Sequence, residues 1–217
     1  MTDADLPRSA NVVWQPGEIT RDARWRALGG PGGTVWFTGL PSSGKSTVAA
    51  AVEAKLLGEG RPAYVLDGDN LRHGLNGNLG FSPEDRRENV RRAAEVAALM
   101  ADAGVTALAS LVSPFRADRA AAREVHEARG LRFLEVWVST PLEECEKRDT
   151  KGLYARARAG EIADFVGIDT PYEVPEDADL TLDTTGRNVD ECLADVWALL
   201  EQRGYCTRPD GSDKDDD

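Results

Sequence analysis

The segment 39–46, which reads Gly-Leu-Pro-Ser-Ser-Gly-Lys-Ser, constrains the fold of this chain more than any other. It fits the phosphate-binding loop pattern G-x-x-x-x-G-K-[ST]. An apolar, β-favouring run at residues 34–38 precedes the loop, and an Ala- and Leu-rich run at residues 47–57 follows it. A loop of this kind needs a strand before it and a helix after it, and the chain provides both signals in that order. The segment therefore predicts a site for a nucleoside triphosphate and leaves the acceptor of the phosphate open.

The residue types of the loop explain this prediction. Gly39 and Gly44 lack a Cβ, so the backbone can approach a phosphate and point successive N–H groups at it. Lys45 is expected to reach the β- and γ-phosphates, and the Ser46 hydroxyl to ligate Mg²⁺. A nucleoside triphosphate and Mg²⁺ are therefore the expected ligands, and the resemblance described below implies that the triphosphate is ATP. The residues predicted to bind the nucleotide here are Gly39, Leu40, Pro41, Ser42, Ser43, Gly44, Lys45, Ser46 and Thr47.

Beyond the loop, strand-like runs alternate with helical ones. We expect strands at residues 62–66, 105–112, 132–138 and 180–182, and helices at residues 83–103, 117–129, 142–148 and 189–203. Ser82 and Thr140 are the expected N-caps of the first and third of these helices. The alternation predicts an α/β fold, a P-loop NTPase-like three-layer sandwich whose central parallel sheet has about five strands. Ligands bind such sheets at the carboxyl ends of the strands.

Three segments are predicted along the chain. Residues 1–33 form an N-terminal arm with a short helix at 19–28, for which Thr20 is the expected N-cap. Residues 34–206 form the P-loop domain, and residues 207–217 form an acidic disordered tail. Trp14 and Trp25 suggest that the arm packs on its own domain or on a second subunit.

Composition excludes several functions. A net charge of −12 argues against nucleic acid as the main partner. No apolar run approaches the length of a membrane span, and the acidic N-terminus is unlike a signal peptide. A cytoplasmic enzyme with no membrane partner is therefore expected.

Polar residues follow the second and third predicted strands. One of Asp67 and Asp69 is expected to help hold Mg²⁺ through water, and the other to accept a proton from an attacking hydroxyl. Arg72 suits an anion on the acceptor. Ser113 follows the third strand, where a metal-binding Asp is more usual, and this leaves Asp67 and Asp69 as the metal and base candidates.

Two further segments suggest an acceptor pocket. Arg86 and Asn89 lie three residues apart on one helical face, and Phe81, just before that helix, can stack on a purine. The long excursion at 148–169 is typical of an active-site lid. Its Lys151, together with Arg156 and Arg158, is expected to supply the positive charge that a polyanion needs.

These motifs, taken in order, resemble the adenylylsulfate kinase (APS kinase) family over roughly residues 11–205. The segments that carry the resemblance are FTGL at 37–40, DGDNLRHGL at 67–75, LGFS at 79–82, DR and ENVRR at 85–92, VSPFR at 112–116, CEKRD at 145–149, KGLY at 151–154 and GIDTPYE at 167–173.

The resemblance implies transfer of the ATP γ-phosphate to the 3′-hydroxyl of adenosine 5′-phosphosulfate (APS), giving PAPS and ADP. Lys45, Asp67, Asp69 and Ser113 would be catalytic, and Ser46 and Asp67 would bind the metal. Phe81 and Phe165 would sandwich the APS adenine, and Arg148 would pack on the ATP adenine. The implied acceptor site comprises Asp67, Asp69, Arg72, Phe81, Arg86, Asn89, Val112, Ser113, Lys151, Leu153 and Phe165. A homodimer and a separate ATP sulfurylase partner are also implied.

Two alternatives stay open at this point. The chain could be another P-loop small-molecule kinase that acts on nucleosides or sugars. It could also be a non-catalytic module that binds nucleotide and signals to a partner. Acceptor-dependent release of ADP separates the three interpretations.

Overall fold

In a computed structural model, which describes residues 12–13, 15 and 17–206, the sequence alternation becomes a five-stranded sheet with helices on both sides. The strands are β1 (Gly33–Thr38), β2 (Ala63–Asp67), β3 (Thr106–Ser110), β4 (Arg132–Val138) and β5 (Leu180–Leu182). The helices of the described ranges are α1 (Arg21–Ala27), α2 (Lys45–Gly58), α3 (Gly68–Leu71), α4 (Pro83–Ala103), α5 (Arg116–Glu127), α6 (Leu142–Lys147), α7 (Leu153–Arg158) and α8 (Val189–Gln202).

The sheet has the order β2-β3-β1-β4-β5, and every pairing in it is parallel. β1 lies at the centre, where Val35 pairs with Leu108 of β3 on one side and Leu134 of β4 on the other. All six residues of β1 are buried, as expected for a strand covered on both faces. The predicted α/β sandwich with its five parallel strands is confirmed.

Each face of the sheet has its own core. On one face, branched residues of α2 and α8, such as Val52 and Val196, pack against Val35 and Phe37. On the other face, α4 turns alanines toward Trp36, and these small side chains let the helix lie close to the sheet. No helix within the described ranges has the length and hydropathy needed to cross a membrane.

Helix caps agree with the predictions at two sites and differ at a third. The Thr20 and Ser82 hydroxyls accept hydrogen bonds from the first turns of α1 and α4. Pro141, rather than Thr140, is the N-cap of α6, so the prediction of Thr140 was wrong. The Thr140 hydroxyl instead donates to the Ser43 carbonyl at 2.9 Å, because a buried hydroxyl takes the nearest tertiary acceptor.

The N-terminal helix α1 packs on its own domain. The Trp25 indole N–H donates to the Ala101 carbonyl of α4 at 3.0 Å, and Arg21 and Arg24 both pair with Asp102. Trp14 and the predicted tail at 207–217 lie outside the described residues, and the domain bounds stay a prediction.

Candidate active site

The loop between β1 and α2 has the backbone that its glycines were expected to allow. Gly44 is the N-cap of α2 with φ of 101°. Gly39 has φ of 149°, and a Cβ added there would lie 2.4 Å from the Val138 carbonyl oxygen. At both positions a side chain would strain the loop, since only glycine adopts positive φ without cost.

Lys45 is folded back into the loop. Its Nζ donates to the Leu40 carbonyl at 2.6 Å and to Ser43 Oγ at 3.3 Å. Burial lowers the pKa of Lys45 to about 8, although the nearby Cys145, Asp67 and Asp69 oppose the shift. Gly39, Leu40 and Ser43 thus hold the loop and its lysine and do not line the two cavities described below.

Oxygen atoms cluster at the start of α2. Ser46 Oγ donates to Asp67 Oδ2 at 2.7 Å and lies 3.1 Å from Ser110 Oγ. The other oxygen of Asp67 is held by the backbone N–H groups of Asp69 and Asn70, which begin α3. The described residues contain no group of three or more metal-binding side chains of the His, Cys, Asp or Glu type. A hydroxyl and one carboxylate nonetheless fit Mg²⁺, which keeps several waters and substrate oxygens as ligands.

One cavity of about 380 Å³ lies on the α8 side of the loop. Residues from the loop, α2, the segment after α6, the β5–α8 connection and α8 line it: Ser42, Gly44, Lys45, Ser46, Thr47, Val48, Arg148, Thr150, Thr184, Arg187, Asn188, Val189 and Cys192. The Arg148 guanidinium donates to the Thr184 hydroxyl at 2.6 Å and to the Thr184 carbonyl at 3.0 Å. We call this space the donor cavity.

Sequence reasoning missed Thr184 and Arg187 in this wall. Both follow β5, which ends at the same edge of the sheet as the other strands. The carboxyl-end rule for parallel sheets would have found them had it been applied to the fifth strand as well.

A second cavity of about 400 Å³, which we call the acceptor cavity, opens on the other side of the loop. A third of about 70 Å³ shares Asp69, Phe81 and Arg86 with it. Every residue predicted for the acceptor site lines one of these two spaces. The acceptor cavity has Asp67, Asp69, Phe81, Arg86, Val112, Lys151, Leu153 and Phe165, and the smaller one adds Arg72, Asn89 and Ser113.

An ion pair spans the acceptor cavity. Lys151 lies in the part of the excursion between α6 and α7, and its Nζ is 2.8 Å from Asp69 Oδ2. The hydrogen bond to Asp69 raises the pKa of Lys151. Both side chains are more than half exposed, so the pair is screened by solvent and can exchange for a charged ligand.

Two phenylalanines face the acceptor cavity in different states. Phe81 is 53% exposed, and the guanidinium carbons of Arg72 and Arg86 lie 4.2 and 5.3 Å from its ring centre. Phe165 is buried and packs edge-on against Tyr154 at 4.9 Å. Of the two rings predicted to sandwich a purine, Phe165 is therefore held in place by packing, whereas Phe81 is exposed.

Arg86 also touches the excursion. Its guanidinium donates to the Asp164 carbonyl at 2.5 Å, and burial, followed by the neighbouring Arg72, lowers its pKa. Arg156 and Arg158 do not line either large cavity, because they pair with Glu161 and Glu146 at the surface. The prediction that these two arginines supply charge to the site was wrong.

Ser113 is built into the interior. Its Oγ accepts a hydrogen bond from the Trp36 indole at 3.0 Å and donates to Thr38 Oγ1 at 2.9 Å. Its φ of 37° turns the chain at the end of β3. The catalytic role of Ser113 stays a prediction, and these contacts favour a role in positioning the strand end.

Comparisons with known proteins bear on the family. A family model described as Adenylylsulphate kinase matches residues 31–183. The chain belongs to the adenylylsulphate kinase family. The match includes the loop, the Asp67–Asp69 turn, α4 and the excursion, each of which contributes residues to the lining of the acceptor cavity.

Named relatives agree with this membership over most of the chain. An adenylyl-sulfate kinase of Clostridium acetobutylicum is 50% identical over 90% of this chain and 96% of its own length. One from Staphylococcus epidermidis is 46% identical over 92% of this chain and all of its own.

A solved structure of the same family has a similar fold. It is an APS kinase from Mycobacterium tuberculosis in complex with AMPPNP and APS. Its sequence is 57% identical, the TM-score is 0.77, and the match covers 79% of this chain and 98% of that one.

Proposed function

We propose that this chain is an adenylylsulfate kinase, which moves the γ-phosphate of ATP to the 3′-hydroxyl of APS. One observation carries the proposal beyond family membership: the donor and acceptor cavities meet at the phosphate-binding loop. Ser42, Lys45, Ser46 and Thr150 line both. A phosphoryl group held at the loop can therefore be approached from the acceptor side without leaving it.

The chain's own residues divide the work of the transfer. Lys45 stabilises the negative charge on the transferring phosphoryl oxygens once the nucleotide replaces its contacts with Leu40 and Ser43. Asp69 orients the 3′-hydroxyl and receives its proton as the new O–P bond forms and the bond to the β-phosphate oxygen breaks. Little basicity is needed in a loose transition state, so positioning dominates.

The metal site belongs to this proposal as well. Ser46 and Asp67 would hold Mg²⁺, and Ser110 lies within hydrogen-bond distance of Ser46 to support them. The ion would neutralise phosphate charge in the bound nucleotide.

Residues that line the acceptor cavity and the small cavity beside it would recognise the acceptor. Phe165, with Phe81 opposite, suits a purine ring, and the adjacent guanidinium groups of Arg72 and Arg86 suit the phosphosulfate. Asp69 and Lys151 line the same cavity as Lys45 and Ser46 of the loop, and the sugar of the acceptor would lie against them.

A coupled assay of ADP release tests the function. With Mg·ATP present, we expect turnover with micromolar APS and background rates with nucleosides or gluconate. Turnover with a nucleoside or sugar in place of APS would indicate a different small-molecule kinase. Nucleotide binding without turnover on any acceptor would indicate a non-catalytic module.

We further infer a cytoplasmic homodimer that can work with a separate ATP sulfurylase. Light scattering after size-exclusion chromatography should give twice the mass of one chain. A monomeric mass at micromolar concentration would contradict the dimer. The partnership would be supported if added ATP sulfurylase speeds PAPS synthesis by more than the extra APS that it produces can explain.

A further inference from the structure

The segment 72–80 joins α3 to Phe81, and one of its side chains is fully buried beneath the acceptor site. Asn76 has no exposed surface. Its Nδ2 donates to Asn89 Oδ1 of α4 at 3.0 Å. Its own Oδ1 has no hydrogen-bond partner among the described residues. A buried amide with one unpaired end costs free energy unless another interaction offsets it.

The hydrogen bond decides which end of Asn89 faces the ligand. The Asn89 oxygen is occupied by Asn76, which leaves the Nδ2 donor for the small cavity that Asn89 lines. Arg72 and Arg86 line the same cavity, and both are cations. A donor beside two cations suits an anionic group, whereas the amide oxygen would repel it.

Holding the segment in place does not require this side chain. The backbone N–H of Asn76 donates to the Leu71 carbonyl at 2.8 Å, and its carbonyl accepts from Leu79. Arg92 donates to the Leu75 carbonyl and to the Asn78 side chain. These contacts fix the fold of the segment, so the Asn76 amide has a separate task.

We propose that Asn76 is a positioning residue, which sets the orientation of the Asn89 amide so that Asn89 donates to the anionic end of the acceptor. The proposal deepens the APS kinase function and rests on it. Asn76 lines none of the three cavities and acts only through Asn89.

Asn76→Ala tests the proposal. We expect KM for APS to rise about tenfold, as for one lost hydrogen bond to a charged group, while kcat changes less than about twofold. The affinity for an ATP analogue should be unchanged. Asn78→Ala is the matched control, because it removes an amide from the same segment that contacts Arg92 instead of Asn89. Its KM should equal that of the wild type.

A double-mutant cycle with Asn89→Ala separates positioning from mere stability. If Asn76 acts through Asn89, the double variant should have the KM of Asn89→Ala alone. Asn76→Asp, which cannot donate when ionised, should rotate the Asn89 amide and raise KM at least as much as the alanine variant does. Thermal unfolding checks that each variant is folded.

Two results would overturn the inference: an unchanged KM in a folded Asn76→Ala variant, or additive effects of the two alanine substitutions. Both leave the function intact if the wild type turns over APS. A wild-type protein without APS-dependent turnover would instead refute the function itself.

Discussion

The Lys45 amine bonds two oxygens of its own loop, Leu40 O and Ser43 Oγ. A nucleotide bound at the loop must exchange these contacts for phosphate oxygens. The side chain is buried and held inside the loop, so binding costs it little further conformational entropy.

Removal of that cation should abolish turnover with little effect on folding. We expect Lys45→Ala to lower kcat by about a thousandfold or more, since charge stabilisation in the transition state is lost. The coupled ADP assay measures this. Lys55→Ala, at the far end of the same helix and against Trp197, should stay within about twofold of the wild type. Ser113→Ala should cost far less than Lys45→Ala.

The lowered pKa of Lys45 predicts a pH dependence of nucleotide binding. The free protein loses the proton near pH 8, whereas a bound triphosphate favours the charged form. The affinity for the nucleotide should therefore be constant below about pH 7 and fall as the pH rises through 8. Above pH 8 the loss of affinity should approach about tenfold per pH unit. Calorimetry with a non-hydrolysable analogue measures both affinity and the proton taken up. In Lys45→Ala the slope above pH 8 should disappear, and a persistent slope would assign it to another group.

At the scale of single residues, the sequence predicted which side chains line the site better than it predicted what each side chain contacts. Residue type and strand ends were enough to place Asp69, Phe81 and Lys151 around one cavity. They could not show that the hydroxyls of Ser113 and Thr140 hydrogen-bond to interior partners, or that Arg156 pairs locally with Glu161. Those choices depend on neighbours that only the folded chain brings within reach.

At the scale of elements, β1, the loop and α2 act as one unit. Gly39 directly follows β1 and lies close to the Val138 carbonyl of β4, and Gly44 is the N-cap of α2. Both ends of the loop therefore depend on residues without side chains. The pattern of the loop was readable from sequence because its glycines are required by geometry. The short helices α3 and α7 were not predicted. The four residues of α3 carry no helical period, and α7 begins after Gly152, which has no side chain to cap it.

Substitution at Gly39 tests this dependence. In Gly39→Ala, the added carbon would meet the Val138 carbonyl at 2.4 Å, so β1 and β4 must shift. We expect nucleotide affinity to fall at least tenfold and the free energy of unfolding to drop by about 1–3 kcal/mol. Gly58→Ala is the control, because nothing lies within 4 Å of its added carbon. There we expect an unchanged affinity and a small gain, up to about 1 kcal/mol.

At the scale of the whole molecule, one buried arginine ties distant parts together. Arg119 of α5 donates to Glu135 of β4 at 2.8 Å, to the Ser113 carbonyl at 2.8 Å and to the Glu173 carbonyl at 2.7 Å. Burial raises the pKa of Glu135, and the charge of Arg119 opposes that shift. The segment after β3 and the segment after the excursion are thereby both bonded to the Arg119 side chain.

Loss of this arginine should destabilise the whole fold. Arg119→Met leaves Glu135 buried without its main partner, and we expect the free energy of unfolding to fall by about 3–5 kcal/mol. Urea denaturation measures the change. Arg129→Met breaks the half-exposed pair with Glu95 and should cost at most about 1 kcal/mol. Equal losses in the two variants would contradict a special role for Arg119.

The layered sheet itself was predictable because alternating strands and helices leave few topologies open. The order β2-β3-β1-β4-β5 was not predicted, since parallel sheets of the same fold class have different strand orders. Contacts such as those of Arg119 span up to 54 residues and carry no local signal, so the sequence alone could not reveal them.

The two large cavities share the loop and Thr150 but otherwise have separate walls. Thr184, Arg187 and Cys192 belong to one, and Asp69, Phe81 and Phe165 to the other. Selection can therefore act on each wall alone. Changes confined to α4 and to residues 151–166 would alter the acceptor site and leave the donor cavity intact.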